Sequence, residues 1–282
     1  MTRVRCPMPF NLDETLTLLG RDPDAQVDLA QVALWLARDE YPALDVDGHL
    51  AELSAMAREA QRFVRGGFAE RVHGLCRYLF HELGFHGNAR DYYDPRNSYL
   101  NVVLERRTGI PISLSAVTIA IGERAGLHVV GVGLPGHFIA KAVEDGAAVL
   151  IDPYHGGRVL SPGDCENLVH QVTGLAFEAS PLALQPLPMG LIVQRMLNNL
   201  KSIYLGRKDW PRTARALERL LQLNPYDAGL RRDLGVCFAR HGQPGKAVDH
   251  LQAYLDAETE AEDAAAVDNI LKATRQQLAE WN

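Results

Sequence analysis

Apolar residues recur at helical spacing over the first part of the chain, from about Leu12 to Phe85. Spacings of three and four residues place them on one face of a helix. Tyr41-Pro42 interrupts the pattern, because the residue before a proline disfavours the α conformation. Asp47 is a candidate cap for the helix that follows. The pattern predicts a helical N-terminal region over residues 1–86.

The middle of the chain combines one apolar helix with strand-like segments. Ser113–Ala125 is mostly apolar and is followed by Gly126, which is typical of a buried helix. The Asp145-Gly146 pair between two of the strand-like segments is a strong signal for a β-hairpin. A helix followed by an antiparallel sheet predicts an α+β unit, which we place at residues 87–187. The expected strands are His128–Val132, His137–Val143, Ala147–Asp152 and Arg158–Leu160.

The remaining part of the chain, residues 188–282, returns to helical spacing and contains an internal repeat. Several buried-type positions recur 33 or 34 residues later, which is the period of the tetratricopeptide helix pair. We expect a final helix at about Glu262–Trp281 to cap the repeats. The predicted fold class is α+β, with N-terminal helices, a core of one buried helix and an antiparallel sheet, and C-terminal α-helical repeats. The recurring pairs are Leu200 with Leu234, Tyr204 with Phe238, Ala214 with Ala247, Leu217 with Leu251 and Leu220 with Tyr254.

Composition and charge restrict the classes of function. The chain has 29 basic and 35 acidic residues and a formal net charge of −6, so we expect no nucleic-acid partner. Its first residues lack the apolar segment of a signal peptide, and no stretch reaches the roughly 18 apolar residues of a membrane helix. The 4 cysteines lie far apart in the sequence and lack the spacing of a metal site, so we expect them to be reduced thiols. The sequence predicts a cytoplasmic protein without membrane association.

One histidine and one aspartate are predicted to meet on the sheet. With Asp145-Gly146 as the two turn residues, Asp152 lies opposite Ile139 and diagonal to His137. Side chains alternate between the two faces of a strand, so His137 and Asp152 point to the same side. Diagonal neighbours, about 7–8 Å apart at the backbone, allow a contact between an imidazole and a carboxylate. Such a pair is the second half of a nucleophilic triad, although each residue alone also fits a turn.

Ser113 is the candidate for the first member of that triad, at the start of the apolar helix. A helix N-terminus favours negative charge by roughly 0.3–1 kcal/mol, which helps to ionise a thiol but cannot ionise an alcohol. Ser113 would therefore depend on His137 as a general base. Two other roles stay open for Ser113: it caps the helix, or it is a polar group that lines a binding cleft.

Further candidates for ligand binding lie near this trio. The polar and aromatic segment Asp91–Tyr99 is predicted to form a loop, where binding sites often lie. Within it, Asn97 is a candidate donor to an oxyanion or an ordinary turn residue, and Tyr99 is a candidate ligand contact. His155 follows Asp152 in a glycine-containing turn. The 10 histidines form no helix-spaced pair with a nearby carboxylate, so we predict no metal site and no cofactor.

Several motifs between residues 83 and 157 resemble the bacterial SirB family, and the resemblance extends over nearly the whole chain. The resemblance implies a divergent transglutaminase-like core, of the transglutaminase/papain-like type, joined to C-terminal tetratricopeptide repeats. It places the nucleophilic cysteine of such cores on or next to Ser113, the histidine on His137 and the aspartate on Asp152. No residue near Ser113 is a cysteine, and a shifted alignment reaches only Ser115. The motifs are Leu83–Asn88, Asp91–Asn101, Arg107–Ser115, Gly133–Phe138 and Ile151–Gly157.

Three functions are compatible with these observations. The first, which we expect, is a non-catalytic pseudoenzyme that binds a peptide or protein in a cleft lined by Ser113, His137, Asp152 and the 91–101 loop. In that case the repeats offer a second protein-binding surface. The second is a serine-dependent amidase or peptidase, in which Ser113 attacks, His137 transfers the proton and Asp152 orients the imidazole. The third is a structural scaffold that binds partners through its repeats alone.

Overall fold

The computed structural model describes residues 11–280, which form two compact units. The first unit is built mainly from Asp24–Met196, and the second combines Asp13–Pro23 with Leu197–Asn282. Helices and a small sheet make up the first unit, whereas the second is helical. The predicted α+β fold class with C-terminal helical repeats is confirmed. The finer three-part division at residues 86 and 187 stays a prediction.

The helices begin with α1 (Leu12–Arg21), which falls almost wholly in the second unit. A π-helical segment, Arg77–Glu82, continues the fourth helix, and a short 3₁₀ helix, Pro95–Asn97, precedes the fifth. No helix of the described chain combines the length and the apolar character that a bilayer span requires. The helices of the first unit are α2 (Leu29–Ala37), α3 (Val46–Ala60), α4 (Phe68–Cys76), α5 (Leu100–Arg106), α6 (Pro111–Ala125) and α7 (Pro162–Thr173).

Two of these helices begin earlier than the sequence pattern predicts. The N-cap of α3 is Asp45 rather than Asp47, and its Oδ1 accepts a hydrogen bond from Gly48 N at 2.9 Å. α6 begins at Pro111, two residues before Ser113. Proline suits the first turn of a helix, because the N–H that it lacks would have no partner there. Ser113 is therefore the third residue of α6 and not its N-cap.

The strands form two separate sheets. β1 (His86–Gly87) and β2 (Thr108–Gly109) are a short parallel pair that the sequence pattern did not predict. The larger sheet is antiparallel, and its strands follow one another in chain order. Each of its strands was predicted, and the last two have the predicted bounds. They are β3 (Val129–Leu134), β4 (His137–Glu144), β5 (Ala147–Asp152) and β6 (Arg158–Leu160).

The turn between β4 and β5 sets the register of the candidate site. Asp145 and Gly146 have φ angles of 47° and 83°. A two-residue type I′ turn requires positive φ at both central positions, which explains the Asp-Gly sequence. Glu144 pairs with Ala147, as predicted. A shift by one residue would have moved every following side chain of β5 to the opposite face of the sheet.

α6 forms the centre of the first unit. Buried residues occupy 13 of its 15 positions, and the helix packs against α3, β3 and β4. A helix that is apolar all round is stable only where neighbours cover every face. A further buried cluster joins the large sheet to α7 and to the segment that follows α7. Its members are Val132, Leu134, Ile139, Leu150, Leu160, Cys165, Leu168, Val169, Ala179 and Leu184.

The second unit has the predicted repeat. All ten of the recurring apolar positions are buried. A Cβ atom at Gly235 would lie 2.7 Å from Leu251 Cγ, so the absence of a side chain at Gly235 lets two helices approach closely. Trp281, the predicted end of the last helix, lies outside the described residues. Besides α1, the helices are the later part of α8 (Met189–Gly206), α9 (Trp210–Leu223), α10 (Ala228–Arg240), α11 (Pro244–Ala257) and α12 (Ala264–Glu280).

Candidate functional site

His137 and Asp152 meet where β4 begins and β5 ends. His137 Nε2 lies 3.0 Å from Asp152 Oδ1, and the two side chains are only 3% and 2% exposed. Gly136 precedes the histidine with a φ of 68°, which closes the tight turn from β3. The Glu144–Ala147 register places the two side chains in the diagonal relation that the sequence predicts. The contact is present, and a catalytic role for it stays a prediction.

The turn after β5 brings a second histidine onto the same carboxylate. Asp152 Oδ1 accepts hydrogen bonds from the backbone N–H groups of Tyr154, at 3.1 Å, and His155, at 3.3 Å. Aspartate commonly stabilises a turn in this way. His155 Nδ1 consequently lies 2.6 Å from Asp152 Oδ2, with its side chain 50% exposed. We call His137, Asp152 and His155 the His–Asp–His cluster.

The hydrogen bonds around Asp152 determine its charge. Burial raises the pKa of Asp152, but the hydrogen bonds and charges of His137 and His155 outweigh burial, and the pKa lies below its ordinary value. Asp152 is therefore an anion at neutral pH. Its two oxygens face four hydrogen-bond donors or acceptors of known position, two backbone N–H groups and two imidazole nitrogens. The carboxylate is fixed in orientation by these contacts.

We expect acidification to destabilise the wild-type protein more steeply than the variant Asp152→Asn. A carboxyl whose pKa is lower in the folded chain contributes stability above its unfolded pKa, which is about 3.9. That contribution is lost as the pH falls through the lower folded pKa. Urea unfolding of both proteins at a series of pH values from neutral down through that range measures the difference. Parallel stability curves would contradict the lowered pKa of Asp152.

Ser113 does not join the His–Asp–His cluster through a hydrogen bond. Its hydroxyl donates to the backbone oxygen of Asn97 at 2.6 Å and also lies 3.1 Å from Ile110 O. The same oxygen accepts from Ile110 N at 3.1 Å, which is the capping interaction at the start of α6. Ser113 is fully buried at 0% exposure. Within residues 11–280 the predicted Ser113–His137 hydrogen bond is absent, because backbone partners occupy the hydroxyl.

Asn97 and Tyr99 have structural partners. The amide of Asn97 is fully buried, donates to Asp91 O at 2.7 Å and accepts from Asn88 Nδ2 at 3.0 Å. The amide also donates to Tyr92 O at 3.3 Å. These bonds hold the 88–97 loop and use both N–H groups of the amide, so neither is directed at an oxyanion. Tyr99 is 6% exposed, and its ring packs edge-on against Tyr41 at 5.5 Å. The predicted ligand-binding roles of both residues are not supported by this geometry.

A row of three tyrosines leads from the His–Asp–His cluster to the surface. The Tyr154 ring lies 6.0 Å from the His137 ring and 6.0 Å from the Tyr92 ring, and Tyr92 in turn lies 5.3 Å from Tyr93. Tyr93 is 70% exposed and Tyr92 is 37% exposed, so this group reaches the surface. We call Tyr92, Tyr93 and Tyr154 the tyrosine surface. The sequence analysis placed the first two in a candidate loop but did not single out Tyr154.

Arg195 of α8 is a second neighbour that sequence reasoning missed. Its guanidinium donates to the backbone oxygens of Leu134, at 2.6 Å, and of His137. Burial lowers the pKa of Arg195, whereas the nearby Tyr92 phenol acts in the opposite direction. Arg195 thereby fixes the turn that carries His137. No sequence signal links these positions, since 58 residues separate them along the chain.

Comparison with known proteins identifies the family. A model of the transglutaminase-like superfamily matches residues 47–198, which contain the whole His–Asp–His cluster. A UPF0162 protein of Xylella fastidiosa (strain Temecula1) is 37% identical, and the match covers 82% of this chain and 84% of that protein. This chain belongs to the UPF0162 family. A UPF0162 protein of Pseudomonas aeruginosa is 31% identical over 76% of this chain and 77% of its own.

Two further matches concern parts of this UPF0162 protein. A tetratricopeptide-repeat model matches residues 200–272, which contain α9, α10 and α11. The human protein F-box only protein 21 is 34% identical over 46% of this chain, which corresponds to 21% of that protein. The expected combination of a transglutaminase-like domain and tetratricopeptide repeats is confirmed. The assignment of His137 and Asp152 to a triad, with Ser113 in place of its thiol, stays a prediction.

Proposed function

We propose that this UPF0162 protein is a non-catalytic module that binds a peptide or protein segment at the tyrosine surface, beside the His–Asp–His cluster. We also propose that its motifs make it a member of the bacterial SirB family. One observation carries the first proposal. The hydroxyl that the family resemblance places at the position of the nucleophile, that of Ser113, is buried and bonded to backbone. The His137–Asp152 pair lies against Tyr154, which in turn contacts the exposed Tyr92.

The geometry at Ser113 argues against nucleophilic attack. A serine nucleophile must give its proton to a base within hydrogen-bond reach. The Ser113 hydroxyl instead donates to Asn97 O at 2.6 Å. Asp152 engages His137 Nε2, as an orienting aspartate would, but among the described residues no hydrogen bond joins the Ser113 hydroxyl to His137. The serine-dependent amidase alternative therefore gains no support from the hydrogen bonds of the site.

The tyrosine surface has the chemistry of a recognition site. Tyrosine is enriched at the energetic centres of protein interfaces, because it buries a large ring and still offers a hydroxyl. Tyr92 and Tyr93 are exposed, and Tyr154 connects them to the buried His–Asp pair. An extended peptide laid across these rings would find apolar faces and, at His155, a polar group. We therefore propose a peptide as the ligand.

The repeats support a second binding role. Tetratricopeptide repeats generally mediate interactions between proteins, and stacked helix pairs present extended surfaces for this purpose. A scaffold that binds only through its repeats is the alternative function that the 200–272 match favours. The two proposals differ in which residues a bound peptide contacts.

We expect Tyr92→Ala and Tyr93→Ala to weaken peptide binding by about 10-fold or more each, as the loss of an interface hot spot does. Peptides selected from a random display library against the full chain serve as the probe. Fluorescence anisotropy of the labelled peptide then gives the Kd for wild type and variants. The measurements are made in EDTA, so that metal ions play no part.

A matched control is Tyr226→Ala. Tyr226 is 95% exposed and lies in the second unit, so its ring is as accessible as that of Tyr93 but belongs to the repeats. We expect the Kd to stay unchanged in this variant, and Tyr93→Phe to retain most of the affinity because it keeps the ring. If the Kd of the selected peptides is the same for wild type, Tyr92→Ala and Tyr93→Ala, the tyrosine surface is not the binding site and the repeat scaffold is favoured.

A further inference from the structure

The His–Asp–His cluster brings three metal-ligating side chains close together. His137, Asp152 and His155 each offer one ligand atom, and these atoms all lie within 4.8 Å of one another. The helical spacing of histidines that typically indicates a metal site is absent from the sequence, and no such site was therefore predicted. The three residues instead come from the start of a strand, the end of the next strand and the turn that follows. Antiparallel pairing brings them together.

The spacing of the ligand atoms fits a small divalent ion. Bonds of about 2.0–2.1 Å to zinc place neighbouring ligand atoms of a tetrahedral site roughly 3.3 Å apart. His137 Nε2 lies 3.0 Å from Asp152 Oδ1, and His155 Nδ1 lies 2.6 Å from Asp152 Oδ2. With one ligand atom taken from each residue, the three atoms lie within 4.8 Å of one another. An ion would need these separations to change by no more than about 1.5 Å. The half-exposed ring of His155 can make that movement by rotating about its side-chain torsions.

The surroundings supply what a metal site needs beyond its ligands. Two backbone N–H groups hold the Asp152 carboxylate in orientation, which is the role of outer partners in metal sites. A carboxylate ligand contributes negative charge, which favours a bound cation. His155 provides an entry path, and Asp152 and His155 also line a cavity of about 320 Å³ together with Arg158, Asp164, Asn167 and Gln171. The cavity leaves space for water or another ligand beside an ion.

We propose that His137, Asp152 and His155 form a binding site for a divalent transition-metal ion of the zinc type. Two imidazoles and one carboxylate suit zinc and its neighbours, whereas magnesium and calcium prefer oxygen ligands. Three protein ligands leave at least one coordination position for water or an oxygen of a bound molecule. The proposal goes beyond the peptide-binding function and does not rest on it.

The test uses the full chain, stripped with EDTA and dialysed, and zinc chloride as the probe. A competition titration with a chromophoric chelator gives the zinc Kd of wild type and of His155→Ala. Loss of an outer-shell partner costs about 10–100-fold in affinity, so loss of a direct ligand is expected to weaken binding by about 100-fold or more. Zinc is also expected to raise the Tm of wild type but not of His155→Ala. His155 is the safest ligand to replace, because its side chain is 50% exposed.

His128→Ala is the matched control. His128 Nδ1 lies 2.8 Å from Glu123 Oε1, so this exposed pair also combines a histidine with a carboxylate. The pair does not belong to a three-residue cluster of metal-ligating side chains among the described residues. We expect its zinc Kd to equal that of wild type. Cobalt substituted for zinc should give the visible spectrum of nitrogen and oxygen ligands without a thiolate charge-transfer band.

Three results would overturn the proposal. They are the absence of zinc binding by wild type, an equal Kd for wild type and His155→Ala, and a cobalt spectrum with thiolate ligands. Binding of magnesium with the affinity of zinc would also contradict the assigned ion class. None of these results affects the peptide test, which is done in EDTA, so failure of one proposal is distinguishable from failure of the other.

Discussion

The thiol of a Ser113→Cys variant is expected to react with iodoacetamide only when the protein unfolds. The variant is also expected to have no transamidating activity. Ser113 is fully buried and its hydroxyl is bonded to Asn97 O. Burial raises the pKa of Cys165, another buried thiol of this chain, to about 11, and a thiol at position 113 meets similar burial. About 10⁻³–10⁻⁶ of the molecules are unfolded at any time. The alkylation rate at position 113 is therefore expected to be lower than that of an exposed thiol by the same factor.

Peptide-resolved mass spectrometry after timed alkylation measures this rate and separates position 113 from the native cysteines. Asp91→Cys is the matched control, since Asp91 is exposed and lies in the same unit, and it is expected to react at the rate of a free thiol. Thermal unfolding of both variants verifies that they are folded. Rapid alkylation of Ser113→Cys that is lost in the double variant Ser113→Cys/His137→Ala would contradict the structural role of Ser113. It would instead support a triad with His137 as the base.

Asp152→Ala is expected to lower the free energy of unfolding by about 3–5 kcal/mol, because it leaves several hydrogen-bond donors without their acceptor and each buried one costs about 1–3 kcal/mol. The side chain is 2% exposed, and its loss leaves His137 buried without its partner. The backbone N–H groups of Tyr154 and His155 lose their acceptor as well. Urea unfolding of wild type and variant, analysed by linear extrapolation, measures the change.

Two controls belong to this prediction. Asp91→Ala replaces an exposed aspartate of the same unit and is expected to change stability by less than about 0.5 kcal/mol. His155→Ala removes only the half-exposed partner and is expected to cost less than Asp152→Ala. A loss below about 1 kcal/mol for Asp152→Ala would show that the carboxylate is not the anchor of the cluster.

Local sequence signals predicted much of this fold, because each had a short-range physical cause. The Asp145-Gly146 pair specifies one type of turn, the turn fixes the β4–β5 register, and the register brings His137 to Asp152. The recurrence of Leu217 at Leu251 marked the helical repeat, in which both are buried. An Asp-Gly turn is recognised from a few neighbouring residues, and the helical repeat is recognised from apolar positions one repeat apart.

The rest of the candidate site depends on contacts that sequence spacing does not encode. The sequence allowed three roles for the Ser113 hydroxyl. Which role it has depends on the position of Asn97 O, which is 16 residues away along the chain. Arg195 reaches the His137 carbonyl from a distant helix. The start of α6 was misplaced because Pro111 suits the first turn of a helix, while Ser113 looked like the more ordinary cap.

The most direct test of the binding role is hydrogen–deuterium exchange of the full chain with and without a selected peptide. Slower exchange upon binding reports the backbone that the peptide covers or orders. We predict protection in the segments around the tyrosine surface, residues 91–99 and 153–157. Protection confined to the repeats, residues 200–272, with unchanged exchange in both segments would contradict the account.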